Sequence, residues 1–348
     1  MGAKDGVKGV DKLPSNIKMI FNLAGNALVN QHSDINKTVE LLKDESNVQF
    51  IVTSELFMTP SALYSDLVLP GTSSFERNNI STPWGQGDYV VYANKLVEPL
   101  FESRNEYDWL VEVADKLGLK DKFTEGNNTM EDWCRWIVQG IQKTHPGFPS
   151  YEEFKARGIY KWTYDKPSIA FEKQIQDPAN NPFPTPSGKI EIFSKALYDM
   201  NNPKEIPAVP KYIEAWEGPA DPLRKKYPLQ CIGWHYKRRC HSIHDNNPWA
   251  EEVARQEMWM NPMDASQRGI NDGEKVKVMN DRGTMMVPVK VTPRMMPGVV
   301  AIPQGARYTP DELGVDQRGS LNVLTSQRPT PLAKGNPQHT NLVEVSKA

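Results

Sequence analysis

Between residues 17 and 70 strand and helix signals alternate, and that alternation constrains the fold more than any other feature. IKMIFNL at 17–23 is apolar, opens on a β-branched residue and reads as a buried strand. The turn Ala24-Gly25-Asn26 follows. A helix is predicted over 33–45, with Ile35, Val39 and Leu42 on one face. VQFIVT at 48–53 reads as a second buried strand, and a short helix over 60–65 leads to LVLP at 67–70. Strand, helix, strand, helix, strand predicts parallel pairing with right-handed crossovers. Ligands of such sheets sit at the carboxyl ends of the strands. Here those ends are Ala24-Gly25-Asn26, Ser54-Glu55 and the loop after Pro70.

The pattern then changes twice. A strand over 88–92 and helices over 106–117 and 130–142 are predicted, and from 144 to about 228 the chain turns irregular and Pro-rich. Within that stretch KIEIF at 189–193 alternates as a short strand. After Pro228, QCIGWHYKRRCHS reads as a strand. NPMDASQRG reads as a short helix with Asn261 as N-cap, Pro262 in its first turn and Gly269 past its end. A hairpin is predicted around Asn280-Asp281-Arg282-Gly283, with Val287, Val289 and Val291 alternating. RMMPGVVAIPQGA and NLVEV add two more strands. Short strands and Gly/Pro turns over about 120 residues predict a small closed β-barrel.

At 348 residues the chain has room for about two domains of roughly 150 residues each. With 41 Lys and Arg against 43 Asp and Glu, the net charge of −2 argues against a strongly basic nucleic-acid binder and against an acidic tail. No apolar run approaches the roughly 20 residues of a membrane span. The start, MGAKDGVKGVDKLP, has neither an apolar signal core nor twin arginines, so no export signal is expected. Three cysteines without a C-x-x-C pair suit neither a disulfide framework nor a four-cysteine iron–sulfur cluster. The six histidines include no H-E-x-x-H, so no protein-built zinc or iron centre is expected.

Four stretches carry candidate chemistry, each with a plainer reading beside it. In LAGNALVNQ at 23–31, Gly25 and Asn26 suit a backbone approaching a nucleotide phosphate or sugar. No G-x-G-x-x-G is present, and spacing alone favours a plain strand-to-helix turn. In SELFMTPSALYSDLVLP at 54–70, Glu55 and Thr59 suit a base edge, because a carboxylate matches the two adjacent N–H donors of guanine. Taken alone, a solvated Glu55 and a Thr59 that caps the helix opened by Pro60 is favoured. On a strand, His235, Lys237, Arg239 and His241 would share one face by the period of two, which suits a pyrophosphate. A basic exposed edge is an equal reading. Finally, Asn322, Thr325, Gln327, Asn336, Gln338 and His339 could surround a polar heterocycle, or form an ordinary turn-rich surface loop.

In this order and spacing the stretches resemble the carboxyl-terminal part of molybdopterin-dinucleotide oxidoreductases, and within them the catalytic subunits of anaerobic dimethyl sulfoxide reductases. The resemblance is carried by IKMIFNLAGNALVNQHSDIN, FMTPSALYSDLVLPGTSSFE, FTEGNNTMEDW, NPFPTPSGKIEIFS, HYKRRCHS, RQEMWMNPMDASQRGI, NDRG, VTPRMMPGVVA and NVLTSQRPTPLAKGNPQHTNLV, which together cover nearly the whole chain. It implies a partial three-layer α/β domain followed by a six-stranded double-psi β-barrel. The expected division is 1–143 for the later half of the α/β molybdopterin-binding domain, 144–227 for an irregular connection and 228–348 for the cap barrel.

The resemblance also implies roles. Gly25 and Asn26 match the family's Gly-Asn turn, and Thr59 matches a threonine of the guanine-reading loop. Glu55 stands where the family usually has an aspartate, keeping the carboxylate with one methylene more reach. His235 and His241, with Arg239 and Ser242 in the same stretch, match the histidine pair that lines the dithiolene–pterin region. Asn322 and the Gly335-Asn336 turn match the final pterin-contacting loop.

The family's cysteine motif for a [4Fe–4S] cluster and its molybdenum-ligating serine have no counterpart here, so no catalytic or metal-ligating residue is expected. Residues 1–13 resemble interior family sequence. The chain is therefore expected to be a fragment of a larger catalytic subunit, inactive alone and binding no cofactor by itself, with apolar sheet faces left exposed. The parent would hold molybdenum bis-(molybdopterin guanine dinucleotide) and a [4Fe–4S] cluster in the missing part. It would receive electrons from an iron–sulfur subunit tied to a membrane anchor, and would remove oxygen from a sulfoxide or N-oxide, periplasmic or on the outer face of the cytoplasmic membrane. Related enzymes acting on nitrate, selenate, polysulfide or formate, and a non-catalytic cofactor-binding protein, are the alternatives.

Overall fold

The computed structural model of the chain describes residues 15, 17–85, 87–337 and 339–348. The readings of residues 1–13 and of Gln338 lie outside them. In chain order the elements begin with β1 (Met19–Leu23), a π-helical turn (Ala27–Gln31), α1 (Ile35–Lys43), β2 (Phe50–Glu55), α2 (Pro60–Leu63) and β3 (Leu67–Pro70). Next come β4 (Asn79–Ser81), β5 (Tyr89–Ala93), α3 (Glu106–Lys116), α4 (Lys120–Thr124), α5 (Met130–Thr144), α6 (Tyr151–Arg157), β6 (Ile159–Lys161), α7 (Glu172–Gln176) and α8 (Lys195–Asp199). The last part holds β7 (Leu229–Trp234), α9 (Pro248–Val253), β8 (Met258–Met260), α10 (Pro262–Gln267), β9 (Lys275–Asn280), β10 (Gly283–Val291), β11 (Val299–Pro303) and β12 (Asn341–Lys347). Strands β1, β2 and β3 pair in that order. Two compact units result, one made of residues 1–53, 58–67 and 190–348, the other of 54–57 and 68–189.

The first unit is built on a closed barrel of six strands in the order β10-β8-β11-β7-β12-β9. β10 runs parallel to β8 and β11 parallel to β7, while the remaining neighbours are antiparallel. This is the expected double-psi barrel. Alternation makes it: Val276, Val278, Met285, Val287, Val289, Val300, Ile302 and Val343 are all fully buried inside it. Each such side chain contributes about 1.5–3 kcal/mol by leaving water. The predicted hairpin is present, with Gly283 opposite Asn280. Glycine is needed at 283, since a Cβ there would lie 2.6 Å from both Asn36 Nδ2 and Val323 Cγ1. The α10 helix opens as its sequence predicts, Asn261 Oδ1 accepting from the Met263 N–H at 2.8 Å, and Gly269 beyond it takes a φ of +63°.

Three local expectations are corrected. KIEIF forms no strand, and Ile190 and Ile192 are 73% and 76% exposed, because alternation without a pairing neighbour does not hold a strand. The strand begun at Leu229 stops at Trp234, and residues 235–242 turn instead. β1 is a strand but not a buried one: Met19, Phe21 and Leu23 are each more than 40% exposed, in keeping with the apolar face expected of a partial domain.

The second unit has its own core. β4, β5 and β6 form an antiparallel sheet, and Val90, Tyr92, Cys134, Val138, Phe148, Tyr151 and Phe154 pack as one cluster. The hydroxyls of Tyr92 and Tyr151 meet at 2.7 Å, and burial pushes both phenols up. Residues 151–161, read from sequence as connection, are α6 and β6. Ser150 and Glu153 form a reciprocal capping box that starts α6.

Candidate functional site

In the first unit the loop after β1 meets the loop after β7. Asn26 joins them: its Oδ1 accepts from the Ser61 N–H at 3.1 Å and from the Ser61 hydroxyl at 2.9 Å, and its Nδ2 donates to Ser242 Oγ at 3.1 Å. Ser61 in turn accepts from the Val29 N–H at 3.2 Å. Gly25 accepts at its carbonyl from Asn22 Nδ2 at 2.7 Å. Thr59 caps α2, its Oγ1 accepting from the Ala62 N–H at 3.3 Å, with Pro60 in the first turn. The second unit's Glu55 is half-buried and accepts from the Leu56 N–H at 2.8 Å.

The stretch after β7 is held by a buried charge cluster. The Arg239 side chain is wholly enclosed. Its Nε donates to the Gln304 carbonyl at 3.0 Å, its Nη1 to Asp245 and its Nη2 to Gln256 Oε1. Asp245 also accepts from Arg238 Nη2 at 3.1 Å, from the Arg307 N–H at 3.0 Å and from Arg318 Nε at 3.3 Å. Burial lowers the Arg239 guanidinium to about 10. Burial also acts to raise the Asp245 carboxyl, but donation by the Arg307 N–H and Arg318 and the charge of Arg239 together hold it below its ordinary value. Glu251 adds a second anion, 2.7 Å from Arg238 and 2.6 Å from Arg318.

Because the strand ends at Trp234, His235, Lys237, Arg239 and His241 do not share a face. Arg239 turns inward, while His235, Lys237 and His241 are exposed. The two imidazoles meet edge to face with ring centroids 5.5 Å apart. Among the described residues neither the His235 ring nitrogens nor Lys237 Nζ has a hydrogen-bond or ion-pair partner.

The final loop folds back onto the π-helical turn. Asn322 Nδ2 donates to the carbonyls of Asn30 and Gln31 at 2.9 and 3.2 Å, and its Oδ1 accepts from the Thr325 hydroxyl at 2.9 Å. Asn336 Nδ2 reaches the Gln31 carbonyl at 2.8 Å, and the Gly335 N–H donates to Thr330 Oγ1 at 2.9 Å. Gln327 Nε2 lies 3.3 Å from Thr38 Oγ1. One unit thus brings together Gly25, Asn26, Thr59, His235, Arg239, His241, Ser242, Asn322, Gly335 and Asn336. Sequence reasoning missed Ser61, Asp245 and Gln304. Ser61 sat inside a quoted stretch, but the partners of Asp245 at 307 and 318 are too distant to leave a local pattern.

The first unit thus joins a closed double-psi barrel to α/β elements, and polar loops from both meet within it. The model "molybdopterin oxidoreductase" matches residues 2–116 and the model "molydopterin dinucleotide binding domain" matches residues 229–342. The chain belongs to the molybdopterin oxidoreductase family. It is 46% identical to dimethyl sulfoxide reductase DmsA of Escherichia coli strain K12, over 99% of this chain and 43% of that protein. It is 35% identical to the dimethyl sulfoxide/trimethylamine N-oxide reductase of Rhodobacter capsulatus, over 99% of this chain and again 43% of that protein. The chain therefore spans less than half the length of these curated relatives. Among solved structures, acetylene hydratase from Pelobacter acetylenicus superposes with a TM-score of 0.72 at 22% identity, covering 96% of this chain and 45% of that one, a likeness of fold.

The residues fit a molybdopterin dinucleotide by the chemistry of their donors. Exposed imidazoles and an ammonium suit an anionic pyrophosphate, and the Asn336 amide suits a pterin or guanine edge. Asn26, Thr59, Arg239 and Asn322 instead direct their side chains into the protein, where they shape the loops. Among the described residues no three His, Cys, Asp or Glu side chains gather to hold a metal ion.

Proposed function

We propose that the chain is the cofactor-enclosing part of a molybdenum reductase that removes oxygen from dimethyl sulfoxide or related S- and N-oxides. The observation that carries this is the 46% identity to a dimethyl sulfoxide reductase along 99% of the chain, loops included. When bound, molybdenum bis-(molybdopterin guanine dinucleotide) supplies the oxygen transfer, turning sulfoxide, two electrons and two protons into sulfide and water. The chain's own work is placement. His235, Lys237 and His241 offer donors to the anionic dinucleotide, and Gly335-Asn336 offers a turn to its heterocycle. Glu55 is the candidate guanine reader, while Asn26, Ser242, Thr59 and Asn322 fix the loops and Arg239 locks their base. Electrons would come from a [4Fe–4S] cluster and an iron–sulfur partner subunit with a membrane anchor, on the periplasmic side. Among the described residues no helix is long and apolar enough to cross a membrane.

The test is the molybdenum and pterin content of the enzyme carrying this chain, with and without His241→Ala. Loss of one hydrogen bond to the dinucleotide is expected to weaken retention about tenfold. Wild-type molybdenum content and reductase activity in that variant would overturn the assignment.

A further inference from the structure

His241 sits on the exposed loop with an unusual backbone, as His244 does. Its φ of +51° lies in the left-handed region, which non-glycine residues adopt uncommonly. Gly305 lies against it: a Cβ there would come within 1.8 Å of the His241 carbonyl oxygen, so the two backbones are in direct contact. The next residue back, Gln304, is only 7% exposed. Its carbonyl accepts from Arg239 Nε at 3.0 Å, its N–H donates to the Trp234 carbonyl at 2.9 Å, and its side-chain Nε2 faces His241 Nδ1 at 3.1 Å. An amide nitrogen is only a donor, so this contact matches the tautomer in which Nδ1 accepts and Nε2 carries the ring proton. The His235 ring, 5.5 Å away, limits how far the imidazole can swing.

We infer that Gln304 is a positioning residue, one that sets the tautomer and direction of His241 so that this imidazole presents Nε2–H as a donor to the bound dinucleotide. The inference rests on the dinucleotide-site reading above. The Asp245–Arg239 cluster holds Gln304 in turn, carrying rigidity from the buried charges to the exposed ring. Pre-organising a donor in this way removes an ordering cost at the moment of binding.

The test is nitrogen-15 NMR of the histidine rings in the purified chain, where the six histidines are few enough to resolve. Wild-type His241 is expected to show a protonated Nε2 and a bare, hydrogen-bonded Nδ1. In Gln304→Glu the carboxylate can only accept, so the proton is expected to move to Nδ1. In Gln304→Met, which keeps the volume and loses the donor, the Nδ1 resonance is expected to shift to that of an unbonded nitrogen. A protonated Nδ1 in the wild type, or the same His241 pattern in both variants as in the wild type, would overturn the inference. The readout needs no cofactor, so a failed dinucleotide assignment would appear separately, as a protein whose molybdenum and pterin content ignores His241.

Discussion

Asp245 is where a single residue matters most. One carboxylate answers Arg238, Arg239 and Arg318 in a nearly water-free setting, its side chain only 2% exposed. Neutralising it leaves the buried Arg239 without an anion, while Glu251 still faces Arg238 and Arg318, and breaking such a buried pair costs about 3–5 kcal/mol. Asp245→Asn is expected to cost that much in urea unfolding at neutral pH. The sign with pH follows from the lowered carboxyl. A depressed native value contributes stability above the unfolded carboxylate range, near pH 4, and loses it as pH falls through the native value. The gap between wild type and variant should therefore narrow in acid. A gap that stays constant from neutral to acid pH would refute the ion-pair account. Thiols carry no such weight: burial pushes the Cys231 thiol up to about 12, and Cys134 is also buried, as packing residues are.

At the scale of elements, caps and turns decide where the loops lie. Thr59 is the clearest case, because it matches a threonine of the guanine-reading loop and yet caps α2. Thr59→Ala is expected to lose about 1 kcal/mol of stability, and Thr59→Ser, which keeps the hydroxyl, to restore most of it. Unchanged unfolding in the alanine variant would remove the capping role. Local chemistry of this kind was legible in the sequence: the cap at Thr59, the Asn261 cap of α10 and the hairpin at Asn280–Gly283 all depend on residues within four positions of one another. The stretch 235–242 was not. Its alternation of charge mimics a strand, but Arg238 and Arg239 converge on Asp245, and the groups that complete the cluster come from 256, 303–307 and 318. Pairing decided KIEIF as well, since period-two alternation says nothing about whether a neighbour exists. The α6 helix was legible in principle, through Ser150 and Glu153 three apart, but the surrounding prolines hid it.

For the whole molecule, the barrel and the order of α/β elements were readable because short strands between Gly/Pro turns, and strand and helix signals in alternation, each mark a fold class. The association of the loops at 25–31, 235–242 and 322–336 was readable only through resemblance, because each loop alone looks like an ordinary polar turn. The structure supplies what resemblance could not, namely which of those residues point inward as braces and which keep open donors. The reaction is tested by turnover by the enzyme that carries this chain, with reduced viologen as electron donor, on a panel of dimethyl sulfoxide, trimethylamine N-oxide, nitrate, selenate, polysulfide and, with an oxidised viologen as acceptor, formate. Reduction of the sulfoxide and the N-oxide, with little activity on the others, is predicted. Turnover of nitrate, selenate, polysulfide or formate with none on either oxide would contradict it.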